Sequence, residues 1–540
     1  MPSNMFQRID DLPEKIMEKI LSYLPIDQKK SCLIVSKYFY KCGITSIDNE
    51  LWLNLKSKEY IFEYFNSIIQ SSRKISNIKV GSKNGTLVID RNMFLPLIYS
   101  IFKKFGEYFQ TFEMFDCEIA PRDLRMLLKL SPNIKTITLT SIIAVQKISV
   151  RKLRPIECSR LTEISLSYCS DGIQMLTFAL NWNTISKFKI ITDEPSFIPC
   201  FLSHQKTVKN LSMHIYGELP TSNINFYRKL TFEDISISVN GYNGHDSTIE
   251  TILNAQVNTL KRLDLTCSPI SDSMFRILPL MKNLEVLKII VNDVTPNTFK
   301  AVAEIKTLKE LAIIKNCDND SEDHLNVLCN MKDLKLKNLE IYYPCQMIDN
   351  SIFFPLSLNA SDLEILYINS LLSLNLISSI ISNMKKLKEL KLENHQFTEV
   401  TIPEICFFQA NVPFHFSLQS LHVKLQCTQF FQSFLAITGK FSNICNLEVI
   451  TSVEGFELEA LISCVLINSK KICRFKILNV NLLEIDNLMR LDLNYHSNRL
   501  KFFSVFINNY NLNSNVSFLK VFGNDFYSVK VYGSCLELIN

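Results

Sequence analysis

The sequence predicts an α/β chain in which a short all-helical segment precedes a solenoid, with parallel strands on a concave face and helices on a convex face. Three observations predict it. A triplet of the form apolar-x-x-apolar-x-apolar recurs along most of the chain. The residues ahead of the first triplet carry a helical apolar stripe instead. The composition, 47% apolar and 21% charged over 540 residues, suits a large packed core and not a disordered or fibrous chain.

The N-terminal stripe comes first. Leu12, Ile16, Ile20 and Leu24 fall four residues apart, with Leu21 beside them, and the pattern stops at Pro25. Asp10 or Asp11 can cap this helix, and Pro13 sits in its first turn, where a missing N–H costs nothing. A second segment runs from Asp27 to about Cys42 and places Cys32, Val35, Phe39 and Cys42 at spacings of three and four; a third ends near Leu51-Trp52.

In order and spacing, Leu12-Pro13-Glu14-Lys15-Ile16, Ile20-Leu21-Ser22-Tyr23-Leu24-Pro25, Cys32-Leu33-Ile34-Val35-Ser36-Lys37 and Leu51-Trp52 resemble the F-box motif. That family usually has a tryptophan or similar aromatic just after the Val-Ser pair, where this chain has Tyr38, Phe39 and Tyr40. The resemblance implies an F-box over 6–55, a linker over 56–74, and docking of a Skp-type adaptor through Leu12, Pro13, Ile16, Ile20, Leu21, Leu24, Val35 and Trp52. Through the adaptor it implies a cullin scaffold carrying a RING subunit and a ubiquitin-conjugating enzyme. Independently, a segment this short cannot bury all of those side chains within itself. They need a partner, or they cap the first repeat of the solenoid.

At 47% apolar content about one start in ten fits the triplet by chance, so regular recurrence carries the weight. Triplets start at Phe109, Ile134, Leu161, Ile185, Val208, Phe232, Leu260, Leu284, Leu308, Leu336, Leu363, Leu387, Leu418, Ile444 and Ile472, with consecutive starts 23 to 31 residues apart. Nearly all of these steps lie in the window of a leucine-rich repeat. In each unit the fourth and sixth positions share one face of a short strand, and the first anchors the turn entering it. Stretches such as Ser271 to Leu278 then supply a helix-like return. Eight residues after several starts stand small polar residues, Cys117, Cys169, Asn240, Asn292 and Asn316, placed to turn inward and bond the neighbouring backbone. The run Leu161, Ile164, Leu166, Cys169, Asp171, Ile173 and Leu176 resembles the cysteine-containing class of leucine-rich repeat, typical of F-box/leucine-rich-repeat proteins. An earlier unit starts at Ile75, while Leu488, Leu500 and Val516 stand too close together for all to be real. The repeat domain is expected over 75–540, with about fifteen repeats or more.

Other chemistries fail on composition or spacing. Fifty-eight basic and fifty-three acidic residues leave a net charge of +5, too weak a field to favour nucleic acid. Twelve glycines form neither a dinucleotide fingerprint nor a phosphate loop, and no G-x-S-x-G elbow occurs. Sixteen cysteines include no C-x-x-C, and eight histidines include no H-E-x-x-H, so neither metal nor cofactor is expected. The cysteines read as inert core, and the histidines as loop or solvent-facing residues. The N-terminus has no apolar signal region and the chain no run of about 18 apolar residues, so neither export nor membrane insertion is expected. A reducing compartment, cytoplasmic and/or nuclear, is the expectation.

The resemblance therefore implies a non-enzymatic, substrate-recognition subunit of a Skp–cullin–F-box ubiquitin ligase. A protein substrate would lie on the non-anchor strand positions: Thr162, Glu163 and Ser165; Lys261, Arg262 and Asp264; Glu285, Val286 and Lys288; Lys309, Glu310 and Ala312. A leucine-rich-repeat scaffold without degradation, or an inhibitor-like solenoid that wraps an enzyme, are the alternatives.

Overall fold

A computed structural model describes residues 13–22, 32, 50–55, 65–70, 74–82, 86–89, 94–145, 156, 158–169, 184–193, 198, 202, 207–217, 224–239, 246–265, 272–291, 296–315, 323–330, 335–343, 350–369, 379–380, 382–393, 415, 417–425, 442–451, 458–480, 502–507, 528–532 and 535–539. It is an α/β solenoid of parallel strands with helical returns. Two compact units divide at Thr259 and Leu260, the start of a triplet.

In the first unit the strands are β1 (Glu50–Asn54), β2 (Asn77–Gly81), the two-residue β3 (Leu87–Val88), β4 (Thr111–Ile119), β5 (Thr136–Ala144), β6 (Glu163–Ser167), β7 (Lys187–Thr192), β8 (Asn210–Ile215) and β9 (Asp234–Val239). From β1 through β2 and β4 to β9 each pairs in parallel with the next, and β3 adds to the end of β4. The register aligns the triplets: Phe112, Ile137, Ile164, Phe188, Leu211 and Ile235 form one column, and Met114, Leu139, Leu166, Ile190, Met213 and Ile237 the next but one. All twelve are buried.

The second unit holds β10 (Arg262–Leu265), β11 (Val286–Ile290), β12 (Glu310–Ile314), β13 (Asn338–Tyr342), β14 (Ile365–Asn369), β15 (Glu389–Glu393), β16 (Ser420–Leu425), β17 (Asn446–Thr451), β18 (Arg474–Val480) and β19 (Phe502–Ile507), again parallel in sequence order. The ladder then reverses: β21 (Cys535–Ile539) runs antiparallel to β19 on one side and to β20 (Ser528–Tyr532) on the other. In β19, Phe503 and Val505 continue the columns of Phe475 and Ile477. Leu488, Leu500 and Val516 lie outside the described residues.

A recurring hydrogen bond sets the step from strand to strand. The N–H groups of Lys309 and Glu310 both donate to the carbonyl of Glu285, and those of Lys337 and Asn338 to that of Lys309. The same forked bond joins Ser186 and Lys187 to Thr162 in the first unit. Each N–H at the mouth of a strand thus meets an acceptor, as buried backbone requires.

Helices return the chain behind the strands. Among the described residues they include α2 (Phe94–Phe105), α3 (Pro121–Lys129) and α4 (Asp246–Ala255) in the first unit, where α1 (Glu14–Ser22) precedes the strands, and α5 (Asp272–Phe275), α6 (Pro296–Ala303), α7 (Asp323–Cys329), α8 (Asn350–Asn359) and α9 (Leu458–Asn468) in the second. Ile224–Lys229 and Leu278–Leu280 return as tighter 3₁₀ turns. In α2, Phe102 packs edge-on against Phe109 and Phe112, the first two anchors of a triplet, with ring centroids 5.1 and 5.5 Å apart. The core is therefore one layer of triplet side chains between sheet and helices.

Seven residues after three successive starts the backbone turns left-handed, at Asp116, Ser141 and Tyr168, with φ of 50°, 53° and 53°. That twist swings the following residue inward, so Cys117, Ile142 and Cys169 are buried. The thiol of Cys117 reaches the carbonyl of Phe115 at 3.1 Å and that of Cys169 the carbonyl of Ser167 at 3.3 Å. Both cysteines take the inward role expected of them; Asn240, Asn292 and Asn316 lie outside the described residues. Gly81 is needed for close approach, because a Cβ there would strike the carbonyl and ring of Phe115 on β4.

Candidate functional site

Helix α1 has two apolar faces. Met17 and Leu21, four residues apart, are buried, while Ile16 and Ile20 are 49% and 43% exposed. Pro13 opens the first turn, its carbonyl accepting the N–H groups of Ile16 and Met17 at 2.9 and 3.1 Å. One face of the helix is packed and the other presents an isoleucine pair to solvent. Of the residues expected at an adaptor interface, Pro13, Ile16 and Ile20 lie along this open side, and Leu21 lies on the packed one. Leu12, Leu24 and Val35 fall outside the described residues.

Trp52 stands elsewhere. It is in β1, directly opposite Lys79 of β2, with its ring 6.4 Å from that of Phe115. Leu51 and Leu53 on the same strand are buried and continue the columns of Ile78 and Val80. The parallel ladder thus begins at Glu50, and Trp52 is a member of its open face.

In each unit the open face of the strands carries polar positions, most of them half-exposed, Glu163 and Ser165 among them in the first and Asp264, Lys288 and Glu310 in the second. Val286 and Ala312, expected on this face as exposed residues, are instead buried. The register gives the reason. Arg262 and Glu310 flank Val286, and Lys288 and Glu340 flank Ala312, so the aliphatic stems of long charged chains cover the shorter residue between them.

Sequence reasoning missed a polar network farther along the second unit. Tyr367, Lys391, His422, Glu448 and Lys476 occupy one column across β14 to β18. The Tyr367 hydroxyl donates to Glu393 at 2.7 Å, and Lys391 lies 3.1 Å from the same carboxylate and 4.7 Å over the Tyr367 ring. His422 stands between two carboxylates. Its Nε2 is 2.9 Å from Glu393 without hydrogen-bond alignment, and its Nδ1 is 3.4 Å from Glu448, which Lys476 holds at 3.1 Å. Burial pushes the His422 pKa below its usual value, with Lys391 adding to the shift and Glu448 and Glu393 opposing it. At Glu393 burial opposes ionisation, yet the Tyr367 hydroxyl, Lys391 and His422 hold the carboxyl below the usual range.

The histidines also differ from expectation. His415 is buried, its Nε2–H donating to the carbonyl of Met384 at 2.9 Å while its Nδ1 accepts the N–H of Leu418 at 3.2 Å. Desolvation lowers its pKa, so the ring is a neutral structural tie between repeats. In the first unit His214 contacts the Tyr216 ring edge-on at 4.6 Å, and Tyr216 stacks on Tyr168. Burial raises the thiols of Cys117 and Cys329 to about 12 and that of Cys158 to about 11, which keeps them protonated at neutral pH. Among the described residues no cluster of three or more His, Cys, Asp or Glu is placed to hold a metal ion, and no helix is long and apolar enough to cross a membrane.

Residues 9–43 match the family profile of the F-box domain. The chain carries an F-box. It contains all of α1, including the exposed isoleucine pair, and it ends before β1, so Trp52 lies beyond the matched residues. Solved structures similar to the chain include a leucine-rich-repeat protein of Leptospira interrogans, at 16% identity and TM-score 0.31 over 70% of this chain and 88% of that one. An internalin from Listeria monocytogenes matches at 16% identity and TM-score 0.29 over 51% and 81%. A chain of the mouse RP105/MD-1 complex matches at 10% identity and TM-score 0.44 over 86% and 80%. At these values the assignment of leucine-rich repeats rests on the spacing and register of the ladder itself. Among curated proteins no sequence match is found.

Proposed function

We propose that the chain is the substrate-recognition subunit of a Skp–cullin–F-box ubiquitin ligase. The observation that carries this reading is the exposed Ile16 and Ile20 pair on α1, inside the F-box and ahead of a leucine-rich-repeat ladder. An F-box implies binding of a Skp-type adaptor, and solvated isoleucines on a helix whose other face is packed are suited to such a contact. The adaptor would tether the chain to a cullin scaffold, and the open strand face would hold a protein substrate. The chain would supply no catalytic group; its contribution is proximity, which turns a bimolecular encounter into a local one. This reading places it in the cytoplasm and/or nucleus.

The test is a pull-down of purified Skp-type adaptor with the unsubstituted chain and with the Ile16→Asp/Ile20→Asp double variant. The unsubstituted chain should retain adaptor and, in cell extract, a cullin; the double variant should lose both while keeping its circular dichroism. Adaptor binding that survives the double substitution would overturn the docking assignment. Adaptor without cullin would favour a non-degradative scaffold.

A further inference from the structure

The position just after each triplet's first residue meets its counterpart on the next repeat. Glu285 and Lys309 lie 2.8 Å apart there, and Lys337 and Glu364 lie 3.4 Å apart. At the β17 and β18 repeats the same position holds Cys445 and Cys473 in place of an ion pair. The N–H groups of Cys473 and Arg474 donate to the carbonyl of Cys445 at 2.9 and 3.0 Å, and the Cys473 thiol points back toward that oxygen at 3.3 Å. Both side chains are half-exposed, unlike the buried Cys117, Cys158, Cys169 and Cys329. Adjacent strands stand about 4.8 Å apart, inside the range of about 4.4–6.8 Å between Cα atoms that a disulfide accommodates.

We propose that Cys445 and Cys473 form a cross-strand dithiol that closes to a disulfide under a peroxide, fastening two repeats across one seam. In the first step one thiolate attacks a peroxide oxygen: an S–O bond forms, the O–O bond breaks, and the departing oxygen leaves as water with the thiol's proton. In the second step the other thiol attacks that sulfur: the S–S bond forms, the S–O bond breaks, and a second water leaves. Two thiols are oxidised and one peroxide is reduced to two waters. No other pair of described cysteines shares a register position on neighbouring repeats.

Cys464 shares the tryptic peptide 441–470 with Cys445, so the experiment uses the full chain carrying Cys464→Ser. After stoichiometric hydrogen peroxide, free thiols are blocked and the digest is read by mass spectrometry. Peptide 441–470 should appear linked to peptide 472–474, minus two hydrogens, and the link should vanish with reductant and in the Cys445→Ser or Cys473→Ser variants. The oxidised chain should unfold at a higher temperature than the reduced one, and the shift should be absent in either serine variant. If Cys464→Ser does not fold, fragmentation of the linked peptide from the unsubstituted chain assigns the sulfur. Blocking groups on both Cys445 and Cys473 after oxidation, or linkage of either to another cysteine, would overturn the proposal.

Discussion

Replacing Leu287 tests the register of the ladder directly. Its side chain is fully buried, and the register sets it between Leu263 on β10 and Leu311 on β12. Leu287→Ala removes three carbons, worth about 2.4 kcal/mol at about 0.8 kcal/mol each. The cavity left in a closely packed layer raises the total to about 3–4 kcal/mol, inside the range of about 2–5 kcal/mol measured for such truncations. Leu287→Asp costs more, because an unpaired carboxylate is left in the same layer. The next residue, Lys288, points to the open face, so Lys288→Ala should change stability by no more than about 0.5 kcal/mol. Equilibrium unfolding in urea, followed by circular dichroism, compares the three variants. Adjacent repeats share the layer, so the loss at Leu287 should spread to its neighbours. Equal midpoints for Leu287→Ala and Lys288→Ala would refute the alternation of core and open positions described above.

Other outcomes follow from single features. Trp52→Ala should destabilise the start of the ladder by about 1–2 kcal/mol through its contact with Phe115, and should leave adaptor binding intact, because β1 lies outside the F-box match. Lost adaptor binding with unchanged stability would reassign Trp52 to the interface. His422 has a depressed pKa in the fold, so as pH falls below its usual 6.5 the unfolded chain takes the proton first and stability drops. His422→Gln should flatten that slope between about pH 7 and pH 5; an unchanged slope would mean that the ring is not held neutral. Glu393, depressed in the fold, contributes stability that is lost only at more acid pH, below the usual carboxylate value of 4.5.

The repeats were legible because each unit solves the same problem with the same three positions. Every triplet from Phe109 to Ile472 leads a strand, and so does the one at Ile75. β1 escaped because its triplet would begin at Asp48, so only Leu51 and Leu53 signal it. The reversal at β20 and β21 leaves no trace in a period, since strand direction is not written in side-chain spacing. The exposed pair Ile16 and Ile20 was visible as part of a stripe, but the spacing of a stripe does not say which of its residues stay open to solvent. The His422 network stayed hidden for a related reason: its members are 24 to 31 residues apart and become neighbours only once the register is known.

The antiparallel strands β20 and β21 also bear on how such a chain could lengthen. Within β4 to β9, or within β10 to β18, every seam offers the same register and direction, so a duplicated copy of one unit could slot in and meet matching anchors on both sides. Between β19 and β21 an incoming copy would meet, on its far side, a strand running the wrong way. Whole units can therefore be gained or lost at the seams between parallel strands, and β21 with its partner β20 would ride unchanged however many copies lie before them.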